Sequence, residues 1–182
     1  MITLYAIVLT FPDEVAKVLS ELRELIKYQR YVSYNIEPHL TLKQPFIPEV
    51  DLTIINERLR AIAERTRPFT LVMNGIGYFG GANNVAYAAV ENKQLVIELH
   101  TDIVHTLKGL VKQEDTETYE LERFTPHVTI GESIPEDVFP TINKMLSGHK
   151  LHLECEISAF ALYSGTWDGV WEPVCVFKLS GW

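Results

Sequence analysis

The chain has 182 residues, 47% apolar and 22% charged, the profile of a globular protein long enough to bury a sizeable core. Its 24 acidic and 16 basic residues give a formal net charge of -8. That balance argues against a broad surface that grips long nucleic acid through its phosphates, and leaves open a local pocket for a small phosphate or an RNA end. Residues 2–9 form a continuous apolar run with no basic n-region and no cleavage site, ended by Phe11-Pro12-Asp13-Glu14. The run is too short to span a membrane and reads as a first strand of a cytoplasmic protein. Residues 12–28 switch to helical spacing, with Val15, Val18, Leu19, Leu22, Leu25 and Ile26 at steps of three and four. Thr10 and Asp13 stand in capping-box-like positions, and Pro12 suits a first turn. Residues 29–36 read as loop and 38–43 as a strand.

Pro45 and Pro48 mark a connection before a second amphipathic helix over 50–66, carried by Leu52, Ile55, Leu59 and Ile62. Phe69, Leu71 and Met73 alternate with Thr70, Val72 and Asn74 as in a strand, after which Gly75, Gly77, Gly80 and Gly81 punctuate the chain. Val85 to Val90 is another apolar strand, so 80–84 is expected to be a hairpin loop. Leu95, Leu99, Ile103 and Leu107 mark a helix over 93–108. Residues 111–123 are the least core-like stretch and read as a solvated loop, with a flap over a site as the alternative. A strand follows at 126–131. Ser133, Pro135 and Glu136 suggest a helix start, Gly148 a stop, and Pro140 makes that helix short or kinked. Leu151, Leu153, Cys155 and Ile157 alternate with polar residues in a half-buried strand, 164–169 turns, and 170–179 returns as a strand that Pro173 marks as an edge or a bulge. Cys155 and Cys175 form neither a metal spacing nor a disulfide framework and read as buried thiols.

One pattern occurs twice: Pro38-His39-Leu40-Thr41-Leu42 and Pro126-His127-Val128-Thr129-Ile130. On a strand, His and Thr share one face and the two apolar residues take the other. A single His-x-Thr on a strand is commonplace, and its histidine is usually structural. Here both copies follow a proline, and both close a unit of the same order. Strand 2–9, helix 12–28 and strand 38–43 match strand 85–90, helix 93–108 and strand 126–131, with the histidines 88 positions apart. Two such units about an approximate two-fold axis would set His39 and His127 on opposite walls of one cleft.

Two facing imidazoles suit acid-base chemistry near neutral pH, one taking a proton and the other giving one. The threonine hydroxyls beside them can donate to phosphoryl oxygens. No His-Glu-x-x-His or cysteine cluster suggests a metal. His100 and His105 point to different faces of a helix, and His149 and His152 straddle a strand start, so all four read as structural or surface residues.

The paired His39-Leu40-Thr41-Leu42 and His127-Val128-Thr129-Ile130 resemble the H-x-T/S-x motifs of the 2H phosphoesterase superfamily, nearest the 2′-5′ RNA ligase-like (LigT-like) proteins and RNA 2′,3′-cyclic phosphodiesterases. The likeness extends over nearly the whole chain in length, element order and motif separation. It implies a bilobal α+β fold as one domain over 1–182 with two intertwined lobes, in which two antiparallel sheets face a central cleft and helices pack outside. It implies opening of a 2′,3′-cyclic phosphate on an RNA end or nucleotide, without metal or cofactor, and in some members 2′-5′ joining of RNA ends. His39 and His127 would be the acid-base pair, and Thr41 and Thr129 the phosphate binders. Many members carry a basic residue where this chain has Asn83-Asn84, which weakens the case for ligation. Lys43 could supply positive charge to the substrate, provided no bulge turns it from the His39 face. Tyr87 and Phe79 could stack on a base. The competing readings are a nucleotide-binding module without turnover, and a phosphodiesterase for ADP-ribose cyclic phosphate or 2′-5′ oligoadenylate.

Overall fold

The structure is a computed structural model that describes residues 2–26, 35–81, 84–113 and 119–182. In chain order it runs β1 (Leu4–Thr10), α1 (Asp13–Ile26), β2 (His39–Pro48), α2 (Leu52–Arg65), β3 (Phe69–Phe79), β4 (Asn84–Val90), α3 (Gln94–Leu107), β5 (Val111–Gln113), a 3-10 turn (Leu121–Arg123), β6 (His127–Ile134), α4 (Phe139–Ser147), β7 (His152–Ile157), β8 (Ala159–Gly165) and β9 (Glu172–Lys178). The fold is α+β, as expected. Two sheets, ordered β5-β2-β1-β8-β9 and β6-β4-β3-β7, are antiparallel throughout. No helix of the described residues is long and apolar enough to cross a membrane.

The helices form where apolar spacing demands burial. Val15, Leu19, Leu22 and Ile26 of α1 are buried, as are Ile55, Leu59 and Ile62 of α2. Asp51 caps α2 by accepting from the Thr53 N–H at 2.7 Å. On α3 the buried stripe starts at Val96, and Leu95 points to solvent at 47% exposure. The helices exchange partners: α1, which follows β1, packs on β6, and α3, which follows β4, packs on β2. Each unit's helix therefore supports the other unit's histidine strand.

Several boundaries differ from expectation for identifiable reasons. β2 runs on through Pro45 to Pro48, because Pro45 sits at a bulge: Tyr5 pairs with Phe46 and Ile7 with Lys43, so β2 carries one residue more than β1 between these pairs. β3 likewise runs through Gly75 and Gly77 to Phe79, with Gly75 at φ 77 where the ladder gains a residue. The fourth helix begins at Phe139, with Pro140 in its first turn, where a missing N–H costs no hydrogen bond. Ser133, read as a helix start, is still in β6, with a φ of 53. Ala159–Gly165 is a separate strand between β1 and β9, and Pro173 lies at a register shift on the edge strand β9. Cys155 is buried, whereas Cys175 is only half-buried on that edge.

Of the described residues in the 111–123 stretch, Lys112, Tyr119, Leu121, Glu122 and Arg123 are exposed, as expected of a solvated loop, but the stretch is anchored at three points. Val111–Gln113 pairs with β2, the Glu120 carboxylate accepts from Lys43, and the Leu121 backbone N–H donates to His100 while its side chain stays exposed. Residues 27–34 (which include most of the expected 29–36 loop), 82–83 and 114–118 lie outside the described residues.

Candidate active site

The two histidine strands are built alike down to their irregularities. In β2, Val8 pairs with Thr41 and Ile7 with Lys43, so Leu42 is an extra residue, and a second shift follows before Phe46. In β6, Tyr87 pairs with Thr129 and Ala86 with Gly131, so Ile130 is an extra residue, and a second shift follows before Ile134. Each strand thus shows His and Thr on one face for one turn of the pleat, then bulges. Leu40, Leu42, Val128 and Ile130 all face the core.

The proline before each histidine has a local consequence. It holds the preceding residue extended, and that residue's carbonyl accepts a hydrogen bond from the imidazole two positions on. His39 Nδ1 donates to the Glu37 carbonyl at 2.8 Å, and His127 Nδ1 to the Thr125 carbonyl at 2.7 Å. Both rings are thereby held in one tautomer, which leaves Nε2 as the nitrogen for proton transfer.

A cavity of about 270 Å³ opens between the sheets, near the small end of the range for small-molecule sites. His39 and Thr41 line it from β2 and Thr129 from β6, so three of the four motif side chains share one space. His127 is close enough that its charge lowers the proton affinity of His39. Its ring is flanked by Phe79 and Tyr87, with centroids at 5.0 and 5.3 Å. Gly77 makes room for this arrangement, since a Cβ there would fall on the Tyr87 ring. Tyr87 stacks on Phe79 at 4.2 Å, so both aromatics buttress His127 and neither is among the residues lining the cavity.

Lys43 is placed elsewhere, because the bulge at Leu42 turns it off the His39 face. It is 3% exposed, with Nζ donating to Gln113 Oε1 and Glu120 Oε1, both at 2.6 Å. Asn84 is also structural: its side chain is buried and donates to the Ile134 carbonyl at 3.0 Å. Asn83 lies outside the described residues. His100 is a core histidine, with Nδ1 donating to the Leu42 carbonyl at 2.7 Å and Nε2 accepting from the Leu121 N–H at 2.8 Å. Both nitrogens are used, so this ring is held neutral. His105, His149 and His152 are exposed.

The sequence reading missed Arg23. It stands on the buried stripe of α1, four residues after Leu19, and that placement of a cation among core positions was the available signal. It is 5% exposed and lines the cavity. Its Nε and Nη2 donate to the Thr129 carbonyl at 3.2 and 3.1 Å, and its Nη1 donates to the Ile36 carbonyl at 3.1 Å. One guanidinium therefore ties the second motif to the segment that leads into the first.

Electrostatics follow from this burial. Burial pushes His39 down to about 4, and the nearby Arg23 and His127 add to the effect against the opposing bond to Glu37. Burial also lowers His127, against its bond to Thr125. Removing the cation should be visible directly: in Arg23→Gln the His39 ring should titrate higher than in the parent protein, as followed by its imidazole NMR shifts. An unchanged or lower midpoint would show that Arg23 does not act on His39.

Motif, paired sheets and cleft together define a phosphoester-handling class of protein. The family model described as the 2′-5′ RNA ligase superfamily matches residues 11–168. A protein of Bacillus cytotoxicus named "Putative phosphoesterase" is 34% identical over 146 residues, covering 80% of each chain. A namesake from Oceanobacillus iheyensis is also 34% identical over 146 residues, covering 80% of this chain and 81% of its own. The chain belongs to the 2′-5′ RNA ligase superfamily, the 2H phosphoesterases. Its fold is that of TT0787 of Thermus thermophilus, with a TM-score of 0.71 at 22% identity over 98% of both chains. It is also that of E. coli LigT complexed with 3′-AMP, with a TM-score of 0.59 at 17% identity over 98% of both chains.

Proposed function

We propose that this chain is a cyclic phosphodiesterase that opens a 2′,3′-cyclic phosphate on a nucleotide or short RNA end, without a metal, by two-histidine acid-base catalysis. The observation that carries the reading is the duplicated site. Two Pro-His-x-Thr strands, each fixing its histidine through Nδ1, meet at a cleft lined by His39, Thr41 and Thr129. That E. coli LigT is seen complexed with 3′-AMP and with phosphate is consistent with a nucleotide phosphoester in such a cleft.

In the proposed reaction the neutral imidazole takes a proton from water as its oxygen bonds to phosphorus. The P–O3′ bond breaks, and the protonated imidazole gives its proton to O3′, leaving a 2′-phosphate. Thr41 and Thr129 donate to the non-bridging oxygens, and Arg23 offsets their charge. Joining of RNA ends would use the same groups in the same direction, with a 5′-hydroxyl in place of water as the nucleophile and O3′ again the leaving oxygen, which gives a 2′-5′ bond.

The test is turnover of 2′,3′-cyclic nucleotides and of cyclic-phosphate-ended oligoribonucleotides in the presence of a chelator. The productive enzyme carries one proton shared between two imidazoles, and that form is most populated between their two pKa values. Both are lowered from 6.5, His39 to about 4. The profile of kcat/KM against pH should therefore be bell-shaped, with its maximum on the acid side of 6.5. Absence of turnover on every cyclic phosphate would refute the proposal, and loss of activity in chelator would refute its metal-independent form.

A further inference from the structure

The two matching units correspond in their helices as well as in their histidine strands. The buried stripe of α1 includes Leu19, Leu22, Arg23 and Ile26, and that of α3 includes Val96, Leu99, His100 and Ile103. The spacing is the same, and the same position of each stripe is polar. Arg23 and His100 are therefore counterparts, and their bonds agree. Arg23 reaches the Thr129 carbonyl in the second histidine strand and the Ile36 carbonyl in the segment leading into the first. His100 reaches the Leu42 carbonyl in the first histidine strand and the Leu121 N–H in the segment leading into the second.

Both ends of the His100 ring meet backbone that its own neighbours leave unsettled. Leu42 is the residue that the β1–β2 ladder skips between Thr41 and Lys43, and a skipped residue inside a core needs a donor for its carbonyl. Nδ1 is that donor, at 2.7 Å. Leu121 has a φ of 54, a left-handed backbone that a residue with a side chain keeps only where its surroundings hold it. Nε2 accepts its N–H at 2.8 Å. The Phe124 ring stacks on the imidazole, with centroids 3.7 Å and planes 9° apart. The next residue, Thr125, provides the carbonyl that holds His127. His100 is 1% exposed, so water is no ready substitute for either bond.

We propose that His100 is a positioning residue: it braces the Leu42 bulge, and with it Thr41, against the Leu121–Thr125 segment, and with it the ring of His127. This rests on the two-histidine reading above and adds to it a side chain that is not among those lining the cleft. In-line transfer requires the two walls to stay in register, and a displacement of about 1 Å caused far from the chemistry can cost on the order of 10² in rate.

The test separates the brace from its share in stability. His100→Phe keeps an aromatic ring against Phe124 and removes both hydrogen bonds. Assayed well below its melting range, it should lower kcat on a 2′,3′-cyclic nucleotide at least about tenfold and keep KM within about threefold. His100→Asn places an amide nitrogen near Nδ1, and His100→Gln an amide oxygen near Nε2, so each restores one end and should recover part of kcat. Lys43→Met is the control. It destabilises the same segment through Glu120 without touching the brace, and should keep kcat within about threefold. The brace is also read without substrate, by NMR. The His127 Nδ1 proton, held by the Thr125 carbonyl, should exchange with solvent at least about tenfold faster in His100→Phe than in the parent or in Lys43→Met. A kcat within threefold of the parent in His100→Phe, an equal loss in Lys43→Met, no recovery in either amide variant, or unchanged exchange at His127 would each overturn the proposal. Should His100→Phe fail to fold, His100→Asn, which loses the Leu121 bond, is judged by the same kcat and exchange readouts. If the parent turns over no cyclic phosphate, the catalytic reading falls, and the exchange at His127 alone decides the brace.

Discussion

His39→Ala and His127→Ala will each lower kcat on a 2′,3′-cyclic phosphate by at least about 10², with KM changed far less. A positioned imidazole that moves a proton in the transition state typically contributes about 10²–10⁴, whereas its share of ground-state binding is small. The two losses should not multiply. Once one imidazole is gone the other has no partner in the transfer, so the double variant should fall little below the worse single one. Each single variant also loses one hydrogen bond from Nδ1 to a backbone carbonyl, worth about 1 kcal/mol, so both should fold with near-parental stability by thermal melting. Activity within threefold of the parent in either variant would remove that histidine from the mechanism.

Those two residues were the part of the site most legible in the sequence, and the reason is geometric. A strand has a period of two, so His-x-Thr assigns its own faces, and the preceding proline marks both the strand start and the carbonyl that orients the ring. The periodic stripes of α1, α2 and α3 were legible for the same reason. The bulges were not. An extra residue leaves no mark on an apolar pattern: Pro45 marks only a connection, and Pro173 alone suggests an edge or a bulge, where β9 does shift register. Because of the extra residue Leu42, Lys43 shares the core side with its neighbour instead of facing the cleft. Arg23 was hidden because its partners, the carbonyls of Thr129 and Ile36, are brought to it only by the exchange of helices between units. Trp167 and Trp171 line the cavity from the β8–β9 turn, whose place beside His39 depends on a backbone bond to Asn35, which no local rule foretells. Within the polar 111–123 stretch Glu120 was not foreseen, because it is drawn inward by a cation 77 residues away.

That cation carries the other large prediction. Lys43→Met should lower stability by about 3–5 kcal/mol, since it leaves Glu120 buried without its charge partner. The side chains of Lys43 and Glu120 are 4% and 11% exposed at 2.6 Å separation, so solvent screening offers little relief. For a chain of this size the loss corresponds to a fall in Tm on the order of 10 °C. Burial lowers the Lys43 pKa while the Glu120 carboxylate opposes that shift, the balance expected when the partner is what keeps a buried ammonium charged. Gln113 bonds both members, accepting from Lys43 Nζ and donating to Glu120 Oε1 at 3.0 Å, so β5 and the segment before the 3-10 turn should loosen together. Adding Glu120→Gln to Lys43→Met should recover most of the loss, because removing both charges leaves no buried ion unpaired. Below its melting range Lys43→Met should keep kcat and KM within about threefold of the parent, as no cleft-lining atom is removed. A KM raised tenfold at unchanged stability would mean that Lys43 reaches the substrate after all. It would also mean that the bulge at Leu42 does not hold when substrate is bound.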